Sequence, residues 1–442
     1  MKYYFLGIGG IGMSALARFF HQRGDQVSGY DRTPSPLTAE LEAEGIAVHY
    51  DDDPSRVPQD ADLAIFTPAV PRTTAVFQRC EALGLPMEKR SQMLGHLTEG
   101  KRCVAVAGSH GKTTTSSMIA HLLAQSHVGC SAFLGGIAKN FGSNLVVNNE
   151  SPWVVVEADE YDRSFLQLHP EISIVTATDP DHLDIYGSHE KMLEAYQQFV
   201  DQTSRALIMK EKLPLHSPLS TLHSYSAQSV DADYYAVNIR QSRGNLYFDL
   251  RTPEKVLYDL QLTHQPLYNV ENAVAACAAA LLCGVSEQEL RQGLRSYEGV
   301  RRRFDYQIDR RELVFIDDYA HHPQELEAVI ASVRYLYPGK RIVGIFQPHL
   351  YSRTRDLCDG FARALEALDE VVLLPIYPAR ELPIPGVSSA MIVHKINSLS
   401  KYYVTKEQLF TLLPALYPDV ILTLGAGDID RLVPQIKQKY EE

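Results

Sequence analysis

Cys103-Val-Ala-Val-Ala-Gly-Ser-His-Gly-Lys-Thr-Thr-Thr115 decides how the chain is read. An apolar run stops at Gly108 and a helical pattern starts after Gly111, so the stretch predicts a strand, a tight glycine turn and a helix start. Such a turn leaves backbone N–H groups unpaired at the positive end of a helix dipole, and Lys112 adds a full charge at the same place. The guest that suits it is a polyphosphate, with the Thr113 hydroxyl set to bind the Mg²⁺ that bridges nucleotide phosphates. The common eight-residue P-loop would carry its first glycine at 106, which is Val106. The loop is therefore the shorter Gly-x-x-Gly-Lys-Thr, and the strand before it and helix after it favour phosphate over a plain turn.

Upstream, residues 3–31 read as βαβ. Gly7, Gly9 and Gly12 satisfy G-x-G-x-x-G after a strand, and Asp31 lies about where a ribose-binding acid would stand. This predicts a dinucleotide or nucleotide-sugar domain without choosing between them; NAD chemistry in an oxidoreductase is the reading that Gly7, Gly9, Gly12 and Asp31 alone would support. A second short strand ends at Thr67-Pro-Ala-Val-Pro71, again a turn where a ligand fits.

Downstream, Gly135-Gly-Ile-Ala-Lys-Asn-Phe-Gly-Ser-Asn144 reads as a loop, either beside a ligand or plain surface. Trp153-Val-Val-Val-Glu-Ala-Asp-Glu160 is a buried strand running into carboxylates, and 172–178 is another running into Asp179-Pro-Asp-His-Leu-Asp184. Strand ends on one edge of an open parallel sheet gather around the ligand, so both clusters should lie near the phosphate loop. Glu157 is the best Mg²⁺ ligand, with Asp159 and Glu160 as competitors. His182 is either an unusual metal ligand beside carboxylates or a hydrogen-bonded core histidine. Residues 210–265 predict a small β-rich excursion. A buried helix follows, and Asn269 and Asn272 at its start are caps or readers of an adenine edge.

Arg301, Arg302 and Arg303 stand at the entry to a third α/β unit, as a solvated run or a phosphate clamp. Its strands are expected at 313–316, 341–346, 370–374 and 420–424, with polar clusters after three of them. His321, His322, His349 and Arg353 at neighbouring strand ends predict a pocket for a small anionic or zwitterionic substrate.

Composition narrows the class. A chain of 442 residues calls for two to four domains. At 45% hydrophobic and 22% charged it is an ordinary globular protein, and a net charge of −12 argues against broad nucleic-acid binding. No apolar run approaches the roughly 20 residues that span a bilayer, and the N-terminus enters a strand pattern at once, which predicts no membrane insertion and no targeting segment. Six scattered cysteines without CxxC spacing predict reduced, buried thiols of a cytoplasmic protein.

Taken together, Gly7-Ile-Gly-Gly-Ile-Gly-Met-Ser14, Gly108-Ser-His-Gly-Lys-Thr-Thr-Thr115, Glu157-Ala-Asp-Glu160, Asp181-His-Leu-Asp184, Asn269-Val-Glu-Asn272, Gly299-Val-Arg-Arg-Arg-Phe304, Asp317-Asp-Tyr-Ala-His-His-Pro323 and Pro348-His-Leu-Tyr-Ser-Arg-Thr-Arg355 resemble the ATP-dependent Mur ligases of peptidoglycan synthesis, and within them the alanine-adding branch. The resemblance implies an α/β chain of three domains: a Rossmann-like UDP-sugar-binding domain (1–98), a central P-loop ATPase domain with a mixed sheet (99–300) and a Rossmann-like amino-acid-binding domain (301–442). It implies a ligase that uses ATP and Mg²⁺ to join L-alanine to the carboxylate of UDP-N-acetylmuramate, with a recycling ligase that adds a muramyl tripeptide as the near alternative, and a monomer or weak homodimer.

The same resemblance assigns roles. It gives Gly9, Gly10, Ile11, Gly12, Asp31, Thr67 and Ala69 to the UDP-sugar. Gly108, Ser109, His110, Gly111, Lys112, Thr113, Thr114, Asn272, Arg303 and Asp317 go to ATP. Thr113, Glu157 and His182 hold the metal, and Tyr319, His321, His349 and Arg353 shape the alanine pocket. Lys112, Glu157, His182, His321 and Arg353 would carry the chemistry, with His321 proposed as the base. Sister ligases carry a carbamylated lysine where this chain has Gln197, as the alanine-adding branch does, so Lys191 is expected at the surface. Leu350 stands where many members of that branch have arginine.

Overall fold

A computed structural model of the chain describes residues 1–441 except 181, 182, 218, 243, 380, 398 and 399, and describes the backbone alone at 183 and 184. Its strands form three sheets. The first holds β1 (Lys2–Leu6), β2 (Gln26–Tyr30), β3 (Ala47–His49), β4 (Leu63–Phe66) and β5 (Met87–Lys89) in the order β3-β2-β1-β4-β5, all parallel. Alternate residues of β1 go to opposite faces, as strand geometry requires. Tyr3 and Phe5 enter one core, Tyr4 and Leu6 another, so this sheet is buried on both sides.

The second sheet holds β6 (Arg102–Ala107), β7 (Ser131–Ala138), β8 (Ser143–Val146), β9 (Trp153–Glu157), β10 (Ile172–Val175), β11 (Ala206–Lys210), β12 (Leu222–Ser226), β13 (Tyr234–Ser242), β14 (Asn245–Arg251) and β15 (Val256–Leu262). Their order is β15-β14-β13-β12-β11-β10-β6-β9-β7-β8. The expected loop at 135–144 is instead a hairpin: β7 carries both Gly135 and Gly136, and β8 returns antiparallel to it. The β-rich excursion is present, and it extends this sheet along one edge. The third sheet, β16 (Asp305–Asp309), β17 (Val314–Asp318), β18 (Ile342–Phe346), β19 (Glu370–Leu373), β20 (Lys401–Tyr403) and β21 (Val420–Leu424), runs β16-β17-β21-β18-β19-β20. Only β16 is antiparallel to its neighbour; β16 and β20 were not anticipated.

Two compact units emerge. One comprises Met1–Asn238, Phe248–Leu260 and Glu271–Tyr297; the other comprises Ile239–Tyr247, Gln261–Val270 and Glu298–Glu442. In the first, one apolar core runs from Met13, Leu16 and Phe20 of the Ile11–Gln22 helix to Phe133 and Leu145 of the hairpin. In the second, Phe315, Val343, Ile345, Val372 and Ile421 from the strands pack with Leu409, Leu413 and Ile436. All six cysteines are free thiols and buried. Among the described residues no helix is long and apolar enough to cross a membrane.

Candidate active site

The phosphate loop has the predicted form. β6 ends at Ala107 and a helix runs Lys112–Ala124, with Gly111 as its left-handed N-cap (φ 81). Both glycines are required. Gly108 has φ 138, and a Cβ there would meet the Thr176 Oγ1 at 2.1 Å; at Gly111 a Cβ would lie 2.9 Å from Asn272 Oδ1. Thr176 hydroxyl donates to the His110 carbonyl, and Ser109 Oγ accepts from the Asp179 N–H at 2.9 Å. These bonds fix the loop from the neighbouring strand end. Lys112 Nζ folds back over the loop onto the Gly108 carbonyl (2.6 Å) and Glu160 Oε1 (2.8 Å). Burial alone would lower the Lys112 ammonium, yet the carboxylates of Glu160 and Glu157 hold it above its ordinary value. It is a charged donor kept ready at the helix start.

Parallel register brings the carboxylates here. Val106 pairs with Glu157 on β9, and Ala107 with Val175 on β10, so both strand ends flank the loop, and of the second cluster Asp179 is seen there, bonded to Ser109. Glu157 Oε2 accepts the Gly135 N–H at 3.1 Å, and a Cβ at 135 would lie 2.2 Å from that oxygen. The hairpin glycine exists to seat this carboxylate. Of the three competitors, Glu160 is committed to Lys112, and Asp159 pairs with Arg90 at 3.1 Å. Thr113 is half-buried in the first helical turn and Thr114 is buried. Asn272 Oδ1 accepts the Thr115 hydroxyl at 3.3 Å, whereas Asn269 Nδ2 donates to Gln265 Oε1 at 2.8 Å, so the two asparagines do different work. Among the described residues no group of three or more His, Cys, Asp and Glu is gathered for a metal. His182, the third expected ligand, lies outside the described residues.

The N-terminal glycine turn is equally specific. Gly7 (φ 88) would place a Cβ 2.5 Å from Thr67 Cγ2, so the Thr67 turn lies directly against it. Ala69 N–H donates to Thr67 Oγ1 at 3.4 Å. Gly10 N–H donates to the Gly7 carbonyl at 3.2 Å, and Ile11 at the helix start is exposed. Asp31 Oδ2 accepts the Gly9 N–H at 2.8 Å, and its Oδ1 the Thr33 N–H at 3.2 Å. The acid therefore shapes the turn itself.

In the other unit, β17 ends in Asp317 and Asp318. Burial pushes the Asp317 carboxyl up to about 7, against the Thr423 hydroxyl that donates to it at 2.6 Å and the Arg302 guanidinium. Burial also raises Asp318, to about 6, although Arg303 and the N–H groups of Phe304 and Ala320 oppose it. Tyr319, His321, His349 and Arg353 do come together: the rings of Tyr319 and His321 are 5.2 Å apart, those of His321 and His349 6.2 Å, and Arg353 Nη1 lies 3.4 Å from His349 Nδ1. Tyr377 completes the group, stacked on His349 at 5.8 Å. His321 Nδ1 donates to the Tyr319 carbonyl at 2.9 Å, and burial holds its pKa below the usual histidine range. With its proton on Nδ1, the neutral ring carries its lone pair on Nε2.

Three family models align to consecutive parts of the chain: "Mur ligase family, catalytic domain" over residues 2–102, "Mur ligase middle domain" over 106–280, and "Mur ligase, glutamate ligase domain" over 302–427. A UDP-N-acetylmuramate–L-alanine ligase of Porphyromonas gingivalis is 50% identical over 448 aligned residues, covering 99% of this chain and 98% of the relative. The chain belongs to the Mur ligase family. The solved UDP-N-acetylmuramate-alanine ligase of Thermotoga maritima has the same fold, with a TM-score of 0.87 and 28% identity, covering 100% of this chain and 99% of that one. A murein peptide ligase from Psychrobacter arcticus shares the fold at a TM-score of 0.70 and 20% identity, covering 99% and 98%.

Within this Mur ligase fold the three arginines of 301–303 have different surroundings. Arg302 faces Asp317, with Nε 3.8 Å from Oδ2; its other nitrogens reach the Gly425 carbonyl (2.7 Å) and Asp430 (3.3 Å). Arg303 lies over the Tyr319 ring at 5.1 Å, and Arg302 is 4.9 Å from the same ring. Lys191 is exposed, as expected, and Gln197 is held by Asp201 and the His216 carbonyl. Leu350 sits at φ 71, a conformation that costs a leucine of order 1–3 kcal/mol, at the start of the Tyr351–Asp356 helix that carries Arg353. Glu160, Thr176 and Arg90 were not assigned these contacts from sequence. All three reach the site across elements distant in the chain.

Proposed function

We propose that this chain is an ADP-forming ligase that uses ATP to join the amine of L-alanine to the carboxylate of UDP-N-acetylmuramate. The observation that carries this reading is the loop Gly108–Thr115 with Lys112 held at the strand end of Glu157, in a chain half-identical to a relative of that name over its whole length. A carboxylate oxygen is a poor leaving group, so phosphoryl transfer to it must precede attack; phosphate then leaves from the tetrahedral adduct of the amine. Lys112 neutralises charge on the phosphoryl group in flight, and the loop N–H groups hold the remaining phosphates. Catalysis of this step is mainly positioning and electrostatics.

The hard oxygen donors Glu157 and Thr113 fit Mg²⁺, and the Gly135 seat holds the Glu157 carboxylate in one place for it. When bound, Mg²⁺ would spread charge from the phosphates; His182 is proposed as a third ligand. Asn272 is proposed for the adenine, and Asp317 with Arg303 for the nucleotide. The N-terminal turn, Gly9, Gly10, Ile11, Gly12, Asp31, Thr67 and Ala69, is proposed for the UDP moiety. Tyr319, His321, His349 and Arg353 are proposed for alanine, with His321 Nε2 taking the ammonium proton so that the amine can attack. The domain limits 1–98, 99–300 and 301–442 belong to the same proposal.

The test is an ADP and phosphate assay with each component left out in turn. Release should require UDP-N-acetylmuramate, L-alanine and Mg²⁺ together, with L-alanine outcompeting the muramyl tripeptide. Steady ADP release without incorporated alanine would contradict the reading.

A further inference from the structure

Arg90 lies between two sites that the sequence treats as separate. Gly12, in the first turn of the Ile11–Gln22 helix that follows the N-terminal glycine turn, has no Cβ, and one built there would fall 2.9 Å from Arg90 Nη1 and 3.0 Å from its Cδ. The arginine side chain is thus laid against the turn in the space that glycine leaves. Its Nη2 reaches Asp159 Oδ2 at 3.1 Å. Asp159 stands between Glu157, seated for the metal, and Glu160, the partner of Lys112.

Asp159 also sets the path of the chain after it. Its Oδ1 accepts the Tyr161 N–H at 3.1 Å and its carbonyl accepts the Phe165 N–H at 2.9 Å. Between them Asp162 and Arg163 hold left-handed conformations, φ 51 and 55, and Asp162 pairs with Lys89 at 2.9 Å. A second strut joins the Ile11–Gln22 helix to the β7–β8 hairpin. Asn144, fully buried on β8, donates to the Ile11 carbonyl (2.6 Å) and Ser14 Oγ (3.0 Å) and accepts from Arg18 Nη1 (2.7 Å). The hairpin that carries Asn144 also carries Gly135, which holds Glu157.

We propose that Arg90 is a positioning residue that ties the sugar-nucleotide turn to the carboxylate strand end of the ATP site, so that the two nucleotides bind cooperatively. This rests on the ligase reading above. A guanidinium has donors in a fixed fork, so one face meets the turn and its occupant while another holds Asp159. Settling the turn on a sugar nucleotide fixes Arg90, which fixes Asp159 and the flanking carboxylates that face ATP. By linkage the effect is reciprocal. The Arg90–Asp159 pair is partly exposed, with side chains 19% and 40% accessible, so its worth to folding is small and the coupling belongs at the low end of the usual range, about fivefold.

The experiment measures binding of Mg²⁺ and β,γ-imido-ATP to the full chain by calorimetry, with and without saturating UDP-N-acetylmuramate. The wild type should bind the ATP analogue about fivefold tighter in its presence. Arg90→Ala and Arg90→Lys, the latter keeping charge without the fork, should both bring the ratio to about one, and Arg90→Ala/Asp159→Asn should do no more than either single change. Melting temperatures near wild type exclude misfolding. A ratio undiminished in Arg90→Ala, an absence of coupling in the wild type, or additive losses in the double variant would overturn the proposal. Failure of the wild type to ligate or to bind UDP-N-acetylmuramate would instead refute the ligase reading.

Discussion

Gly135→Ala isolates the seat of Glu157 without touching the carboxylate chemically. Gly135 is not in the left-handed region, so alanine suits its backbone, and the change acts through space alone. The new Cβ would lie 2.2 Å from Glu157 Oε2 and 2.3 Å from both Cδ and Oε1. Ordinary contact begins at 3.4 Å, so the carboxylate must withdraw by about 1.2 Å (3.4 − 2.2) and lose the 3.1 Å bond from Gly135 N–H. That bond has a charged acceptor and is worth about 1.5–3 kcal/mol, to which any remaining overlap adds. The ladder of β7 on β9, Ser131 with Val154 to Phe133 with Val156, lies before the substitution and stays intact. A misplacement of about 1 Å in a reacting constellation costs on the order of 10² in rate. ADP release, titrated with Mg²⁺ at saturating substrates, should therefore show kcat down about 10²-fold and a higher Mg²⁺ requirement, with KM for UDP-N-acetylmuramate unchanged. Glu157→Gln should give a similar loss, and the double variant should be no worse than either. Full kcat with an unaltered Mg²⁺ requirement in Gly135→Ala would refute the argument.

Glu160→Gln keeps an acceptor for Lys112 but removes the nearest negative charge; because that charge raises the lysine pKa, the alkaline limb of the rate profile should move to lower pH. His321→Gln should lower kcat by about 10² or more and recover partly at high pH, where the alanine amine loses its proton unaided. In folded Asp317 the carboxyl pKa is raised from 3.8 to about 7, so the native state keeps a proton that the unfolded chain releases, and stability falls as pH rises through that window and levels off above it. Between pH 5 and 7 the loss from this group is at most about 3 kcal/mol, at 1.36 kcal/mol per unit, and urea unfolding of Asp317→Asn should show a shallower decline than wild type.

The phosphate loop was legible because a central parallel strand is buried on both faces, which writes a continuous apolar run, and because the turn after it needs glycine for conformation. The same logic misled at 135–144. Two adjacent glycines look like a loop, but Gly135 is inside a strand to leave room for the Glu157 carboxylate, a purpose that no local pattern encodes. The arginine run shows a further limit. Arg301, Arg302 and Arg303 are equivalent in sequence, and what distinguishes them is backbone hand: Arg302 at φ 62 and Phe304 at φ 49 turn the chain so that Arg302 reaches Gly425, Asp430 and Asp317 while Arg303 lies on Tyr319. Asn269 and Asn272 were likewise indistinguishable as caps or ligand readers until a missing Cβ at Gly111 set one of them against the phosphate loop. In each case the residue type was visible and its partner was not. Glycine therefore carries two messages in this chain: at Gly108 and Gly111 it permits a conformation, and at Gly12 and Gly135 it makes space for Arg90 and Glu157. The first can be read from the turn, whereas the second requires knowing what stands across the gap.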